Sequence, residues 1–306
     1  MRKVKIAAVQ MKCHRSEKSI TEILENKEFA KKTIDENILT ADKLVRKAAS
    51  MGANIILLPE LFELPYFCQE KNYEYYSLAT TLEENMAVKH FRVLAKQLNV
   101  VLPISFFEKY KNTTYNTVAM INSDGTICGI YRKIHIPDDH FYQEKFYFTP
   151  GDLGFKVWDT SFGKIGVGIC WDQWFPESAR SMAMLGAEIL LYPTAIGSEP
   201  IIECDSMPHW RRCMQGHAGS NLMPLAAANR IGYESVSPNE NNNNQNSALT
   251  FYGSSFIADA TGAVVNELDR LKEDVIVSEF DLDETAFFRS SWGVFRDRRP
   301  ETYVTK

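Results

Sequence analysis

Hydrophobic and polar residues alternate along this chain with two different periods. In the first half, short apolar runs predict strands, and apolar residues spaced by three or four predict the helices between them. The predicted strands cover residues 3–10, 54–59, 100–107, 116–122 and 126–132, and the predicted helices cover residues 41–50 and 83–98. The sequence Ser123-Asp124-Gly125 is typical of a hairpin turn, so the last two strands should pair.

The second half of the chain continues this alternation. It predicts strands over residues 164–170, 189–193, 224–229, 252–258, 263–266 and 275–280, and helices over residues 176–185 and 208–217. Strands and helices that alternate, with hairpins between some of them, indicate an α/β fold with layers and mixed sheets. Because neither a linker nor a change of composition interrupts the pattern, we expect a single domain over residues 1–306.

One segment, residues 237–247, departs from the pattern. It contains Pro238 and an unbroken polar run of asparagine and glutamine over residues 241–246. A segment of this composition cannot bury apolar surface. We therefore expect a surface loop insertion between two strands, with no catalytic role.

Composition and charge narrow the classes of partner. The 306 residues are 45% hydrophobic and carry a net charge of -5. The negative charge, and the lack of a basic segment with interleaved aromatic residues, disfavour a nucleic-acid partner. The amino terminus has no apolar signal-peptide core, and no apolar stretch has the length of a membrane span. The six cysteines form no C-x-x-C pair. That pattern indicates reduced thiols in a cytoplasmic protein and disfavours a zinc site.

Three predicted strands each end in a side chain that can carry chemistry. Glu60 follows the strand at 54–59, Lys133 follows the strand at 126–132, and Cys170 ends the strand at 164–170. Ligands of open α/β sheets bind at the carboxyl ends of the strands. The sequence therefore predicts a small-molecule site where these three side chains meet.

Cys170 is the candidate nucleophile of this site. The sequence Gly168-Ile169-Cys170-Trp171-Asp172 places it on a strand-to-helix turn, similar to the nucleophile elbow that presents a catalytic serine in α/β-hydrolases. A helix that begins near Pro176 would direct its positive end toward the turn and favour a thiolate. The alternative is an inert buried cysteine, which is common at the end of an apolar strand.

Glu60 and Lys133 are the candidate partners of the thiol. Apolar neighbours would bury Glu60, and burial raises the pKa of a carboxyl group into the range of a useful general base. Lys133 beside Cys170 would lower the pKa of the thiol and stabilise an oxyanion. The alternatives are a solvated or helix-capping glutamate and a solvated lysine.

A Cys–His pair is the alternative catalytic arrangement. No spacing selects one histidine as the base of Cys170, although four are available, namely His135, His140, His209 and His217. The glycines around the cysteine do not form a G-x-G-x-x-G pattern, so a dinucleotide cofactor has no support.

The same segments resemble the glutamate, lysine and cysteine motifs of the nitrilase superfamily. The matching sequences are Leu58-Pro59-Glu60, Tyr131-Arg132-Lys133-Ile134-His135 and Gly168-Ile169-Cys170-Trp171-Asp172. Residues 141–145 and 148–151 are similar to the region that contains the second glutamate of the family, which is Glu144 in this chain. The resemblance covers about residues 3–299. It implies a four-layer α-β-β-α sandwich with two mixed β-sheets, no metal or organic cofactor, and a homo-oligomer of two or more subunits.

Further segments resemble one subfamily, whose members hydrolyse N-carbamoylputrescine to putrescine, carbon dioxide and ammonia in polyamine biosynthesis. These segments are residues 171–177, 192–200, 209–212, 214–218 and 229–232. The resemblance implies that Cys170 attacks the ureido carbon, Glu60 moves the protons, Lys133 holds the oxyanion and Glu144 orients Lys133. It also implies substrate contacts from Tyr66, His140 and Trp171. We expect Glu199 to bind the substrate's terminal ammonium, because a buried cation needs an acidic partner.

Two other functions are compatible with the sequence. A β-ureidopropionase-like enzyme would act on a ureido acid, whose carboxylate needs an arginine such as Arg211 or Arg212. If Glu199 binds an ammonium, exchange of Glu199 for lysine should reverse the preference between the two substrates. A non-catalytic oligomeric scaffold is the other alternative, although the presence of all four candidate catalytic residues argues against it.

Overall fold

The computed structural model describes residues 1–14, 18–198 and 203–304 of the chain. The strands are β1 (Lys3–Lys12), β2 (Ile55–Leu57), β3 (Leu102–Tyr110), β4 (Thr113–Ile121), β5 (Ile127–Arg132), β6 (Val157–Thr160), β7 (Gly163–Val167), β8 (Ile189–Pro193), β9 (Leu225–Ala228), β10 (Arg230–Ser235), β11 (Ala248–Tyr252), β12 (Phe256–Ala258), β13 (Val264–Glu267) and β14 (Asp274–Asp281). The α-helices are α1 (Ile20–Leu24), α2 (Lys27–Ser50), α3 (Met86–Leu98), α4 (Glu144–Tyr147), α5 (Pro176–Met184), α6 (Met207–Asn221) and α7 (Leu282–Trp292). Short 3-10 helices cover Phe67–Gln69, Tyr73–Leu78, Cys170–Trp174 and Pro300–Thr302.

The buried side chains of these elements form separate layers. On β1, Ala7 and Val9 pack with the apolar faces of α2 and α3, whereas Ile6 and Ala8 pack with residues of β7, β8 and β9. On β8, Leu190 packs in turn with α5 and α6. Successive side chains of a strand point to opposite faces, so each sheet contacts helices on one side and the other sheet on its second side. This arrangement is the expected four-layer α-β-β-α sandwich, which is thereby confirmed.

Both central layers are mixed sheets. The first contains β11-β10-β1-β14 in this order, with β2 parallel to β1, and a bridge between Ile55 and Val101 continues it into the hairpin sheet β3-β4-β5. The second has the order β13-β12-β9-β8-β7-β6, in which β7, β8 and β9 are parallel. Within the described ranges, every helix is too short or too polar to cross a membrane.

Most predicted elements are present with ends shifted by a few residues, and α2 differs most. This helix begins at Lys27 rather than at residue 41. Its amino end is defined by Asn26, whose side-chain oxygen accepts hydrogen bonds from the N–H groups of Glu28 and Phe29. The sequence also did not predict α7, β6 or the pairing of β10 with β11.

The asparagine-rich segment at residues 237–247 connects β10 to β11 and is anchored by polar side chains. Asn242 is fully buried, and its Nδ2 donates a hydrogen bond to Oε2 of Glu70 at 2.6 Å. The Oε1 atom of Gln245 accepts hydrogen bonds from the backbone N–H of Lys71 and from Nε2 of Gln143, both at 3.1 Å. The segment is mostly exposed, as expected, but these contacts attach it to the segments around Glu70 and Gln143.

Glu63 is a buried carboxyl group outside the predicted site, and it makes stability depend on pH. Its Oε1 accepts a hydrogen bond from Nδ2 of Asn85 at 2.9 Å. Burial nevertheless raises the pKa of Glu63 from 4.5 to about 7. Because the folded state binds this proton more tightly than the unfolded state, the favourable contribution is complete below pH 4.5 and is lost as pH rises through about 7.

We expect the Glu63→Gln variant to remove this pH dependence. Near pH 5 its free energy of unfolding should be close to that of the wild type, whereas at pH 8 it should be higher by roughly 2–3 kcal/mol. Urea unfolding at both pH values measures the difference, and the exposed Glu83→Gln is the matched control. A difference between the Glu63→Gln variant and the wild type that is equal at the two pH values would contradict the assignment.

Candidate active site

The ends of three strands bring one lysine between two carboxylates. Lys133 follows β5 directly, Glu60 lies in the turn after β2, and Glu144 is the first residue of α4. The Nζ atom of Lys133 lies 2.8 Å from Oε1 of Glu60 and 2.6 Å from Oε2 of Glu144. All three side chains are completely buried, so water does not screen their charges.

Cys170 is the first residue of the 3-10 helix Cys170–Trp174 and follows the two-residue turn that begins at the end of β7. Its φ of 42° lies in the left-handed region, which is sparsely populated by residues other than glycine and is common at functional sites. The chain can form this turn because position 168 is glycine: a Cβ atom there would lie 2.8 Å from the ring of Tyr192. The thiol is 5% exposed, and its Sγ lies 3.8 Å from the carbonyl oxygen of Ala195, to which it can donate.

The thiol of Cys170 is neutral in the resting site. Burial, followed by the charge of Glu60, raises the pKa of Cys170 well above its ordinary value, and the opposing effect of Lys133 is smaller. Lys133 lowers the pKa of the thiol, in the direction expected from the sequence, but burial and the charge of Glu60 act more strongly against a resting thiolate. A neutral thiol needs a base that removes its proton as it attacks.

Glu60 has one oxygen atom held in place and one left free. Its Oε1 accepts hydrogen bonds from Lys133 and, at 2.7 Å, from Nδ2 of Asn116 on β4. Its buried Oε2 accepts no hydrogen bond from any described residue. Asn116 is itself completely buried, and its backbone carbonyl accepts the N–H of Lys133. Asn116 has no sequence signal for this role, because the role depends on a contact across 56 residues.

Tyr66 holds the second glutamate. Its hydroxyl donates a hydrogen bond of 2.7 Å to Oε1 of Glu144, whose other oxygen contacts Lys133. Burial raises the pKa of Glu144 above its ordinary value, Lys133 opposes this shift and the charge of Glu60 adds to it. Burial likewise raises the pKa of Tyr66, so its hydroxyl remains a donor. Tyr66 is fully buried, and its hydroxyl contacts Glu144.

Asp172 joins the segment of Lys133 to the segment of Cys170. Its Oδ2 accepts hydrogen bonds from the hydroxyl of Tyr131 at 2.7 Å and from the N–H of Ile169 at 2.9 Å. Its Oδ1 accepts the backbone N–H of His135 at 3.0 Å and lies 2.8 Å from Nδ1 of the same histidine. This buried carboxylate therefore sets the position of the nucleophile's turn relative to the lysine.

The Cys–His alternative is not supported by the positions of the histidines. His135 contacts Asp172, and Nε2 of His217 contacts the backbone carbonyl of Gln173. His140 and His209 are exposed. Among the described residues, the hydrogen bond of the Cys170 thiol goes to a backbone carbonyl rather than to an imidazole.

A cavity of about 520 Å³ opens onto Cys170. Its lining residues are Pro137, Asp139, Phe141, Tyr142, Glu144, Cys170, Trp171, Trp174, Ala195, Ile196, Cys204, Asp205, Ser206 and His209. Trp171 is therefore a wall of the cavity, whereas His140 is exposed with its ring packed edge-on against Phe141. Glu199 lies outside the described residues. Within the described ranges, no group of three histidine, cysteine or acidic residues could hold a metal ion.

The chain belongs to the carbon–nitrogen hydrolase family, whose model matches residues 5–290. It is therefore a hydrolase of carbon–nitrogen bonds, and the resemblance to the nitrilase superfamily is confirmed. An N-carbamoylputrescine amidase of Oryza sativa subsp. japonica is 52% identical over 98% of this chain and 93% of the relative. A citrullinase of Francisella tularensis subsp. tularensis is 53% identical over 88% of this chain and 91% of the relative.

Solved structures show the same fold. The crystal structure of a carbon–nitrogen hydrolase from Helicobacter pylori G27 matches with a TM-score of 0.84 and 36% identity. The match covers 98% of this chain and 97% of that structure. The four-layer arrangement is therefore a property that this chain shares with an experimentally determined family member.

Proposed function

We propose that this hydrolase converts N-carbamoylputrescine and water to putrescine, carbon dioxide and ammonia, with Cys170 as the nucleophile. The observation that carries the proposal is the buried Lys133 between two carboxylates, one of which, Glu144, lines a cavity together with the thiol of Cys170 and further acidic side chains. The thiol and the group of one lysine with two carboxylates provide the chemistry of a thiol hydrolase. The acidic side chains of the cavity suit a substrate with a cationic end.

In the first half-reaction, Sγ of Cys170 attacks the ureido carbon while the thiol proton moves to the free Oε2 of Glu60. The oxyanion accepts hydrogen bonds from Nζ of Lys133 and from the backbone N–H of Trp171, which lies in the first turn of a 3-10 helix and has no acceptor within it. Glu60 then gives its proton to the departing ammonia. A thiocarbamate forms between Sγ and the rest of the substrate.

In the second half-reaction, Glu60 removes a proton from water, which attacks the same carbon and displaces the thiolate. Cys170 regains its proton from Glu60, so the base returns to its initial state. The product is the carbamic acid of putrescine, which loses carbon dioxide without help. Throughout the cycle, Glu144 and Tyr66 hold Lys133 in place through the hydrogen bonds described above.

The charges around the cavity favour a cationic substrate over a ureido acid. Arg211 forms an ion pair with Glu267, and neither Arg211 nor Arg212 belongs to the lining of the cavity. Among the described residues that line the cavity there is thus no arginine to bind the carboxylate of a ureido acid. Citrulline is the second candidate substrate, because a relative at 53% identity is a citrullinase; citrulline carries an ammonium group but also a carboxylate, for which the described lining of the cavity offers no arginine.

Ammonia release from three substrates tests the proposal. We expect turnover of N-carbamoylputrescine to exceed that of citrulline and of N-carbamoyl-β-alanine, with the Cys170→Ala protein as the blank. Preference for citrulline would replace the substrate but keep the chemistry. Release of ammonia by the Cys170→Ala protein would remove Cys170 from the mechanism.

We also propose that residues 1–306 form one domain that assembles as a homo-oligomer in the cytoplasm and supplies putrescine for polyamine biosynthesis. Large apolar side chains at the carboxyl end of α5 and along α7 are exposed, and this exposure supports association of subunits. These residues are Met184, Leu185, Phe287 and Trp292. Light scattering on the purified protein measures the number of subunits. The complete set of candidate catalytic residues argues against a scaffold without activity.

A further inference from the structure

The cavity has a closed end with the reactive groups and an open end with acidic groups. At the closed end, Cys170 is 5% exposed and Glu144 is completely buried. Asp139, Asp205 and His209 also line the cavity, but all three are exposed to solvent. A substrate whose carbamoyl group reaches Cys170 therefore extends its other end toward these exposed side chains.

The acidic side chains of the lining differ in the partners they already have. Glu144 is paired with Lys133, and Oδ2 of Asp205 accepts a hydrogen bond of 2.6 Å from Nη2 of Arg270. Asp139 has no cationic partner among the described residues. Of the lining acids within the described ranges, Asp139 is therefore the one whose charge is not already balanced by a neighbouring cation.

The carboxylate of Asp139 is held in a fixed orientation. Its Oδ1 accepts the backbone N–H groups of Phe141 at 2.9 Å and Tyr142 at 3.1 Å. Its Oδ2 takes no part in these contacts. One oxygen therefore anchors the side chain to the turn, and the second remains available to a ligand.

We propose that Asp139 binds the terminal ammonium of the substrate and thereby selects a carbamoylated diamine. This inference rests on the proposed function and adds a residue that determines specificity. The four-carbon chain of the substrate lies along the apolar part of the lining, which includes Phe141, Trp171, Trp174 and Ile196. The ammonium then replaces part of its hydration with Oδ2 of Asp139, a charge-assisted hydrogen bond.

A neutral substrate analogue isolates this contact. N-butylurea has the carbamoyl group and the four-carbon chain of N-carbamoylputrescine but no amine. In the Asp139→Asn variant we expect kcat/KM for N-carbamoylputrescine to fall by ~10–100-fold, mainly through KM, since hydrogen bonds to charged groups are of this strength. The value for N-butylurea should change by less than about twofold. Asparagine keeps the Oδ1 acceptor, so the turn is preserved.

Two matched variants complete the experiment. Asp205→Asn removes an acid of the same cavity that is already paired with Arg270, and it should lower the preference for N-carbamoylputrescine over N-butylurea much less than Asp139→Asn does. Glu199→Gln tests the acid favoured by the sequence. If Glu199→Gln alone removes the preference for N-carbamoylputrescine over N-butylurea, the assignment to Asp139 is overturned.

Failure of the role of Asp139 can be distinguished from failure of the proposed function. If wild-type protein does not hydrolyse N-carbamoylputrescine, the proposed function fails before any variant is measured. If the wild type is active and Asp139→Asn lowers kcat/KM equally for both substrates, the residue has only a structural role and the inference fails alone. An unchanged preference in Asp139→Asn overturns it in the same way.

Discussion

The Glu60→Gln variant will lose turnover as completely as the Cys170→Ala variant, and the double variant will lose no more. Each single change should lower kcat by at least ~10⁴-fold, because residues that act as one unit are not additive. The physical reason is the raised pKa of the Cys170 thiol, which burial and Glu60 keep protonated at rest. Glutamine preserves the shape of the side chain and the contact of Oε1 with Lys133, but it cannot take a proton.

Single-turnover ammonia release and alkylation by iodoacetamide test this prediction at separate steps. Alkylation requires only the thiolate, and Glu60→Gln removes a charge that raises the pKa of the Cys170 thiol, so labelling of Cys170 should be no slower than in the wild type although turnover is lost. The matched control is Glu63→Gln, which replaces another buried glutamate only three residues away and should retain activity. Turnover of Glu60→Gln within tenfold of the wild type would show that another group accepts the thiol proton, and labelling of Cys170 that is slower than in the wild type would contradict the effect of the Glu60 charge on the thiol pKa.

Sequence patterns predicted the layers of the fold because alternation on a strand is a local property. On β1, the residues that face the helices and those that face the second sheet follow one another at a period of two. Other elements lacked such a signal. The first half of α2 has few apolar residues, with Ala30, Ile34 and Ile38 spaced by four, and α7 exposes Phe287 and Trp292 instead of burying one apolar face.

The site could be predicted only as far as strand ends and family motifs determine it. Glu60, Lys133 and Glu144 do meet, as their resemblance to family motifs implied. Asn116 carries no local signal, and the role of Asp172 within the cysteine motif has none, because each acts through a contact that is distant in sequence, with Glu60 and Tyr131 respectively. The net direction in which the pKa of the thiol shifts has no sequence signal for a related reason: it depends on the depth of burial, which no single motif encodes.

The Lys133→Met variant will lose both activity and stability. Removal of the ammonium that contacts the oxyanion should lower kcat by ~10²–10³-fold. It also leaves Glu60 and Glu144 buried without a cation, so the free energy of unfolding should fall by ~3–5 kcal/mol. Ammonia release and urea unfolding measure the two losses. Adding Glu144→Gln should restore part of the stability but none of the activity, because it removes one buried charge and replaces no oxyanion donor.

The pH dependence of the stability lost in the Lys133→Met variant distinguishes an effect of charge from an effect of packing. Burial already raises the pKa of Glu144, and Lys133 opposes the shift, so its removal raises that pKa further. A carboxyl group with a raised pKa favours the folded state at low pH, and this contribution is lost as pH rises through the folded pKa. The stability difference between the wild type and Lys133→Met should therefore be smaller at pH 5 than at pH 8. A difference that stays constant, or grows on acidification, would mean that Lys133 stabilises the fold by filling space rather than by neutralising two carboxylates.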